Sequence, residues 1–191
     1  INTPHSRSAW KALCEDIVTR NGGGDQSVYL QVTRGAPSKR DHGFPAADVP
    51  PTIFLVSSPL GRSEIHGIDK ARGAGAITTD DTRWARCDIK SVSLLPNILA
   101  RQQAISRGAV EAILIRDGRI TEGSSTNVFI VDKGNILTPP LSNGILGGIT
   151  RELVIELCRH HGMPIDERNI SLAQLQQADE IWITSSTKDV L

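Results

Sequence analysis

Apolar residues recur at three- and four-residue spacing over 6–20. Trp10, Leu13, Cys14, Ile17 and Val18 fall on one side of a helix there. Asn21-Gly22-Gly23-Gly24 ends that helix, because these residues accept left-handed backbone angles. Two runs rich in β-branched and aromatic residues follow, Val28 with Tyr29, Leu30 and Val32, then Ile53 with Phe54, Leu55 and Val56. They predict strands over 27–35 and 52–57. Residues 36–51 between them carry several prolines and no period, and predict an irregular loop. A strand is expected over 75–86. A helix is expected over 93–108, where Leu94, Leu95, Ile98, Leu99 and Ile105 keep the helical period until Gly108. Two hairpins come next, turning at Asp117-Gly118 and at Asp132-Lys133-Gly134-Asn135. Helices over 150–161 and 171–177 and a strand over 180–185 complete the pattern. Hairpins and helices are mixed without strict β-α-β repetition, which predicts an α+β fold.

The polar stretch with Pro59, Gly61 and Gly67 divides this pattern. It predicts a smaller first domain over 1–63, a linker over 64–72 and a larger second domain over 73–191. The 191 residues suffice for such a division. Lys plus Arg and Asp plus Glu each number 21, so the formal net charge is zero. That balance offers no electrostatic case for nucleic acid or membrane binding. No apolar run is long enough for a bilayer, and no signal peptide is evident. Cys14, Cys87 and Cys158 lie far apart, with neither disulfide nor zinc spacing. They are read as free thiols in the cytoplasm, with no metal. The start at Ile1 and the end at Leu191, just after a strand, suggest a longer protein lacking residues at both ends.

Three stretches carry candidate chemistry. Lys90, in Arg86-Cys87-Asp88-Ile89-Lys90-Ser91, is expected at the end of a β-like run and just before the helix, where its amine could be aimed into a cleft. Glu122, in Thr121-Glu122-Gly123-Ser124-Ser125-Thr126-Asn127, follows a hairpin strand and could hold a protonated ring nitrogen. Gly147-Gly148-Ile149-Thr150 opens a helix, whose free amides and Thr hydroxyl suit a phosphate. Thr184-Ser185-Ser186-Thr187 is a second hydroxyl cluster. An amine for an aldehyde, a carboxylate for a pyridine nitrogen and an anion cradle are what pyridoxal 5'-phosphate demands of a protein. Singly, each stretch also fits a solvated lysine, a strand-end carboxylate or a plain helix cap.

Taken together, these strings resemble the fold-type IV aminotransferases, and within them the D-amino-acid aminotransferases. The resemblance runs over nearly the whole chain and includes Val28 to Gly35. It implies a small N-terminal α/β domain, incomplete here, and a larger domain of mixed sheet with helices. It implies that Lys90 forms a Schiff base with pyridoxal phosphate and moves the substrate's α-proton. Glu122 would meet the pyridine nitrogen and Leu146 would pack on the ring. Gly148, Ile149, Thr150 and Ser186 would form the phosphate cup. Ser185 and Ser124, Ser125, Thr126 and Asn127 would support the site. Tyr29, Arg40 and His42 match a trio that traps the substrate α-carboxylate, with Lys39 the alternative to Arg40. That loop reaches the partner's site in the family, so a homodimer is implied. A phosphate-binding arginine and a tyrosine of the family lie upstream of Ile1. The implied reaction moves the amino group of a D-amino acid, D-alanine foremost, to a 2-oxo acid such as 2-oxoglutarate. The alternatives are an aminodeoxychorismate lyase, a branched-chain L-amino-acid aminotransferase, and a non-catalytic relative that has lost the cofactor.

Overall fold

The computed structural model describes residues 3–61, 73–187 and 189–191. The chain divides into two compact units, Ile1–Ile65 and His66–Leu191. The expected linker over 64–72 lies outside the described residues, as does His66.

In the first unit, α1 (Arg7–Arg20) starts at Ser6, whose hydroxyl accepts from the Ala9 amide. It ends where Gly22, Gly23 and Gly24 all take positive φ, and the Gly23 amide returns to the Val18 carbonyl at 2.9 Å. Strands β1 (Gln26–Val32) and β2 (Ile53–Pro59) pair antiparallel, with Tyr29 opposite Val56. The segment joining them has neither helix nor strand, as its prolines predict.

The second unit carries the larger core. A three-stranded sheet runs in the order β3 (Ala76–Asp80), β4 (Glu111–Arg116), β5 (Arg119–Gly123). Helix α2 (Leu95–Ser106) connects β3 to β4, and those two strands are parallel. The hairpin-dominated pattern concealed this β-α-β crossover. A five-stranded sheet contains β6 (Asn127–Asp132), β7 (Asn135–Thr138), β8 (Ile165–Glu167), β9 (Glu180–Ser185) and β10 (Asp189–Val190), in the order β10-β9-β6-β7-β8. Helices α3 (Ile149–His160) and α4 (Leu172–Gln177) complete the unit. No described helix is long and apolar enough to cross a membrane.

β6 explains why this sheet is buried on both faces. Val128 and Ile130 point into a cluster with Ile113, Ile120, Leu137, Ile170 and Leu175. Their neighbour Phe129 points the other way, into a cluster with Ile136, Ile155 and Cys158. Alternate residues of a strand face opposite sides, so an unbroken apolar run needs cover on both. The two hairpin turns form as predicted. Asp117 and Gly118 have φ of 52° and 72°, and Lys133 and Gly134 have 50° and 80°. Two positive angles in succession define the type I′ turn.

Two boundaries differ from expectation near Lys90. The strand expected over 75–86 stops at Asp80, because Asp81 and Arg83 turn into a buried ion cluster and leave the ladder. Arg86 and Asp88 then pair with each other across a turn at 2.9 Å. Lys90 therefore sits in an irregular segment rather than at the end of a strand. The helix expected over 93–108 begins at Leu95, with Pro96 in its first turn, where a missing amide costs nothing.

Candidate active site

Glu122 is the penultimate residue of β5 and is 6% exposed. Three donors hold its carboxylate. Oε1 pairs with Arg83 Nη1. Oε2 accepts from the Leu146 amide at 3.0 Å and from Asn127 Nδ2 at 3.2 Å. Asn127 Nδ2 also donates to the Leu146 carbonyl at 2.8 Å, so one backbone position braces both side chains. Burial pushes the Glu122 carboxyl above its usual range. The Arg83 charge and the Leu146 amide oppose that shift without cancelling it.

Arg83 was not legible as a site residue. Its guanidinium is 5% exposed and pairs with both Asp81 and Glu122. It also donates to the Gly144 carbonyl at 2.9 Å. Burial alone would lower its pKa, but the two carboxylates raise it well above its ordinary value. Asp81 accepts further from Thr121 Oγ1 at 2.9 Å and pairs with Arg116 at 3.1 Å. Burial would raise the Asp81 carboxyl, but Arg83 and Thr121 hold it below the usual carboxylate range. The only hint in the sequence was an Asp and an Arg two residues apart, a spacing that surface charges share.

Lys90 is exposed, in a segment anchored at both of its upstream buried residues. Arg83 ties it to Glu122, and the Cys87 amide donates to the Asn143 carbonyl at 2.8 Å. Cys87 and Cys158 are buried thiols and Cys14 is half-buried.

At Gly148 the chain turns into α3. Gly148 itself is the N-cap, with no side-chain cap bond, so the helix starts one residue before the expected Thr150. The Ile149, Thr150 and Arg151 amides belong to the first turn, where no intrahelical acceptor exists. Ile149 is exposed, and Gly148, Thr150 and Leu146 are half-buried. A Cβ at Gly148 would overlap Asn127 Oδ1, so glycine lets the helix start close against the Glu122–Asn127 pair. Arg151, 3% exposed, fixes the first turn of α3 from behind. It donates to the Pro139 carbonyl and to Glu167, both at 2.8 Å.

Thr184 lies opposite Asn127 in the β6–β9 ladder. The hydroxyls of Thr184 and Ser185 are buried and have no hydrogen-bond partner among the described residues. Ser186 follows in an exposed turn. Buried orphan donors beside a helix start with free amides match the needs of a phosphate.

The structure divides the Ser124–Asn127 turn. Ser125 is exposed. The Ser124 and Thr126 hydroxyls instead donate inward, to Glu111, and Asn127 serves Glu122 and Leu146.

In the first unit, Tyr29 is 50% exposed and its hydroxyl meets Gln31 Oε1 at 2.7 Å. Arg40 and His42 are exposed in the segment before β2, and the His42 amide donates to Asp41 Oδ1 at 2.6 Å.

The family model described as Amino-transferase class IV matches residues 1–191. The chain belongs to the class IV aminotransferases. A D-alanine aminotransferase of Bacillus licheniformis is 41% identical over the whole chain, which spans 66% of that relative's length. One of Staphylococcus aureus is 36% identical over 93% of the chain and 62% of its own length. Among solved structures, a branched-chain aminotransferase of Thermoproteus uzoniensis with norvaline superposes with a TM-score of 0.79 at 28% identity. That match covers 98% of this chain and 63% of the other. A structure titled a 4-amino-4-deoxychorismate lyase of Legionella pneumophila gives a TM-score of 0.84 at 22% identity, covering 100% and 69%, and attests the fold alone. The α+β architecture of this class IV aminotransferase is therefore the type IV fold that the motifs imply.

Proposed function

We propose that this chain serves in a pyridoxal-phosphate-dependent transaminase acting on D-amino acids, D-alanine foremost, as a cytoplasmic homodimer. The observation that carries the reading is the buried Glu122 carboxylate, held from three sides beside the start of α3. The D-alanine aminotransferases at 36–41% identity point the same way.

The residues present fit the cofactor. The orphan hydroxyls of Thr184 and Ser185 and the free first-turn amides of α3 offer donors to a phosphate. The glycine at 148 leaves room where a Cβ would collide. Glu122 would face the ring nitrogen, Leu146 would pack on the ring, and Gly148, Ile149, Thr150, Ser185 and Ser186 would hold the phosphate. When bound, pyridoxal phosphate supplies an electron sink for the charge left on a deprotonated amino-acid Cα. Arg83 neutralises Glu122 from behind, so the carboxylate can remain ionised against a protonated nitrogen despite its burial. Lys90 Nζ would hold the cofactor covalently, and once displaced by substrate would carry the Cα proton. Tyr29, Arg40 and His42 would bind the substrate carboxylate in the partner's site. Guanidinium suits that task because it pairs with a carboxylate through two parallel donors.

Borohydride reduction of the full-length protein followed by peptide mapping tests the assignment. The label is expected on the peptide carrying Lys90, and a label elsewhere, or none, removes it. A coupled assay with D- and L-alanine then tests the substrate hand. Turnover of the L-isomer alone would favour a branched-chain type instead.

A further inference from the structure

Glu111 has no motif to announce it. It stands at the start of β4 between Val110 and Ala112, in a run that reads as plain strand. Yet it is 1% exposed, and every bond it makes runs inward. Oε1 accepts from the Ala112 amide at 2.8 Å, from the Ser124 amide at 3.1 Å and from the Ser124 hydroxyl. Oε2 accepts from the Thr126 hydroxyl at 3.0 Å. Three of those four donors belong to the turn between β5 and β6. A Cβ at Gly123 would overlap the Thr126 hydroxyl and lie 3.1 Å from the Glu111 carboxyl carbon, so the turn closes tightly over the acid. Asn97 Nδ2 holds the same turn from α2, donating to the Ser124 carbonyl at 2.8 Å.

The ends of this turn are Glu122 and Asn127, joined to each other and to Leu146. A two-ended clamp keeps its span only if the loop between its ends is rigid. Buried donors gathered on one acceptor give that rigidity, because each loses its partner if the loop moves. We propose that Glu111 is a positioning residue that fixes the Ser124–Thr126 turn and thereby sets where the Glu122 carboxylate meets the ring nitrogen. It would touch neither cofactor nor substrate. The Ser124 and Thr126 hydroxyls would serve this buried brace rather than the phosphate. This inference rests on the assignment of Glu122 to the ring nitrogen.

The test compares pyridoxal phosphate with its 1-deaza analogue, which lacks only that nitrogen. Both are titrated into the full-length protein, and into Glu111→Gln and Thr126→Val variants whose fold is checked by near-ultraviolet circular dichroism. A charge-assisted hydrogen bond corresponds to about a ten- to hundredfold preference of the wild type for pyridoxal phosphate. Glu111→Gln should bring that preference to within about threefold of unity, and Thr126→Val should fall between, on the same scale. A merely structural role would weaken both ligands alike and leave the ratio where it was. An unchanged ratio in folded Glu111→Gln overturns the inference. If that variant does not fold, an unchanged ratio in Thr126→Val overturns it. A wild type that binds both ligands equally instead removes Glu122 from the ring nitrogen and takes this inference with it.

Discussion

Arg83 is bonded directly to Glu122, and both lie almost wholly out of solvent. Removing one member of a buried pair leaves the other charge uncompensated. Arg83→Leu should therefore cost about 3–5 kcal/mol in urea unfolding. It should also move the Glu122 carboxyl further above its usual range, since the opposing charge is gone. A variant as stable as the wild type would show that the pair contributes little.

Acid should unfold the second unit partly through Asp81 and Glu167. Arg151 and Arg159 hold Glu167 below the usual range, as Arg83 and Thr121 do Asp81 against its burial. Each carboxyl binds its proton more weakly folded than unfolded. Its stabilisation is complete above the ordinary value of about 4 and is lost as pH falls through the folded value. Glu122 has the opposite sign. Its raised value favours the fold below about pH 4.3, and that contribution disappears as pH climbs through the folded value. Melting temperature against pH should drop steeply below about pH 4 in the wild type and less steeply in Asp81→Asn. Parallel curves would exclude Asp81 as a source of the acid sensitivity.

Gly148→Ala and Gly147→Ala should behave differently although the glycines are adjacent. The new methyl at 148 would collide with Asn127 and push its amide away from Glu122 and Leu146. Overpacking of this kind costs about 1–3 kcal/mol. At 147 the methyl meets Leu141 Cδ2 at 3.4 Å, an ordinary contact, and the change should stay within about 0.5 kcal/mol. Thermal melts of the two variants give the comparison directly, and equal losses would contradict it.

Arg40→Ala should raise KM for the amino acid with little change in kcat, because a carboxylate anchor contributes equally to ground and transition states. Lys90→Ala should bind the cofactor without covalent attachment and turn over no substrate. An Arg40→Ala enzyme with wild-type KM would take Arg40 out of the carboxylate trap.

The sequence disclosed whatever depended on neighbours along the chain. Asp117-Gly118 announced its turn because two positive φ angles in a row restrict the choice of residue. The turn at Asp132-Lys133-Gly134-Asn135 likewise announced the β6–β7 hairpin. Strand β8, three residues long, was too short to show any period and went unseen. Arg83 and Glu111 were hidden for a different reason. Each acts through partners far along the chain, Glu122 for one and the Ser124 and Thr126 hydroxyls for the other. A lone charge in the sequence carries no sign of where it will be buried. Glu122 itself drew notice only through the words around it, and its engagement with Leu146 and Asn127 emerged from the fold.

The sheet built from β3, β4 and β5 joins two kinds of pairing. β4 and β5 meet through a two-residue turn, while β3 reaches β4 only after α2 has been laid across. Closing a short loop is fast and closing a long one is slow. During refolding, amide protection should thus arrive at the β4–β5 edge well before it arrives at β3. The segment bearing Lys90 begins where β3 ends, so that lysine would be among the last parts of the unit to reach its final place.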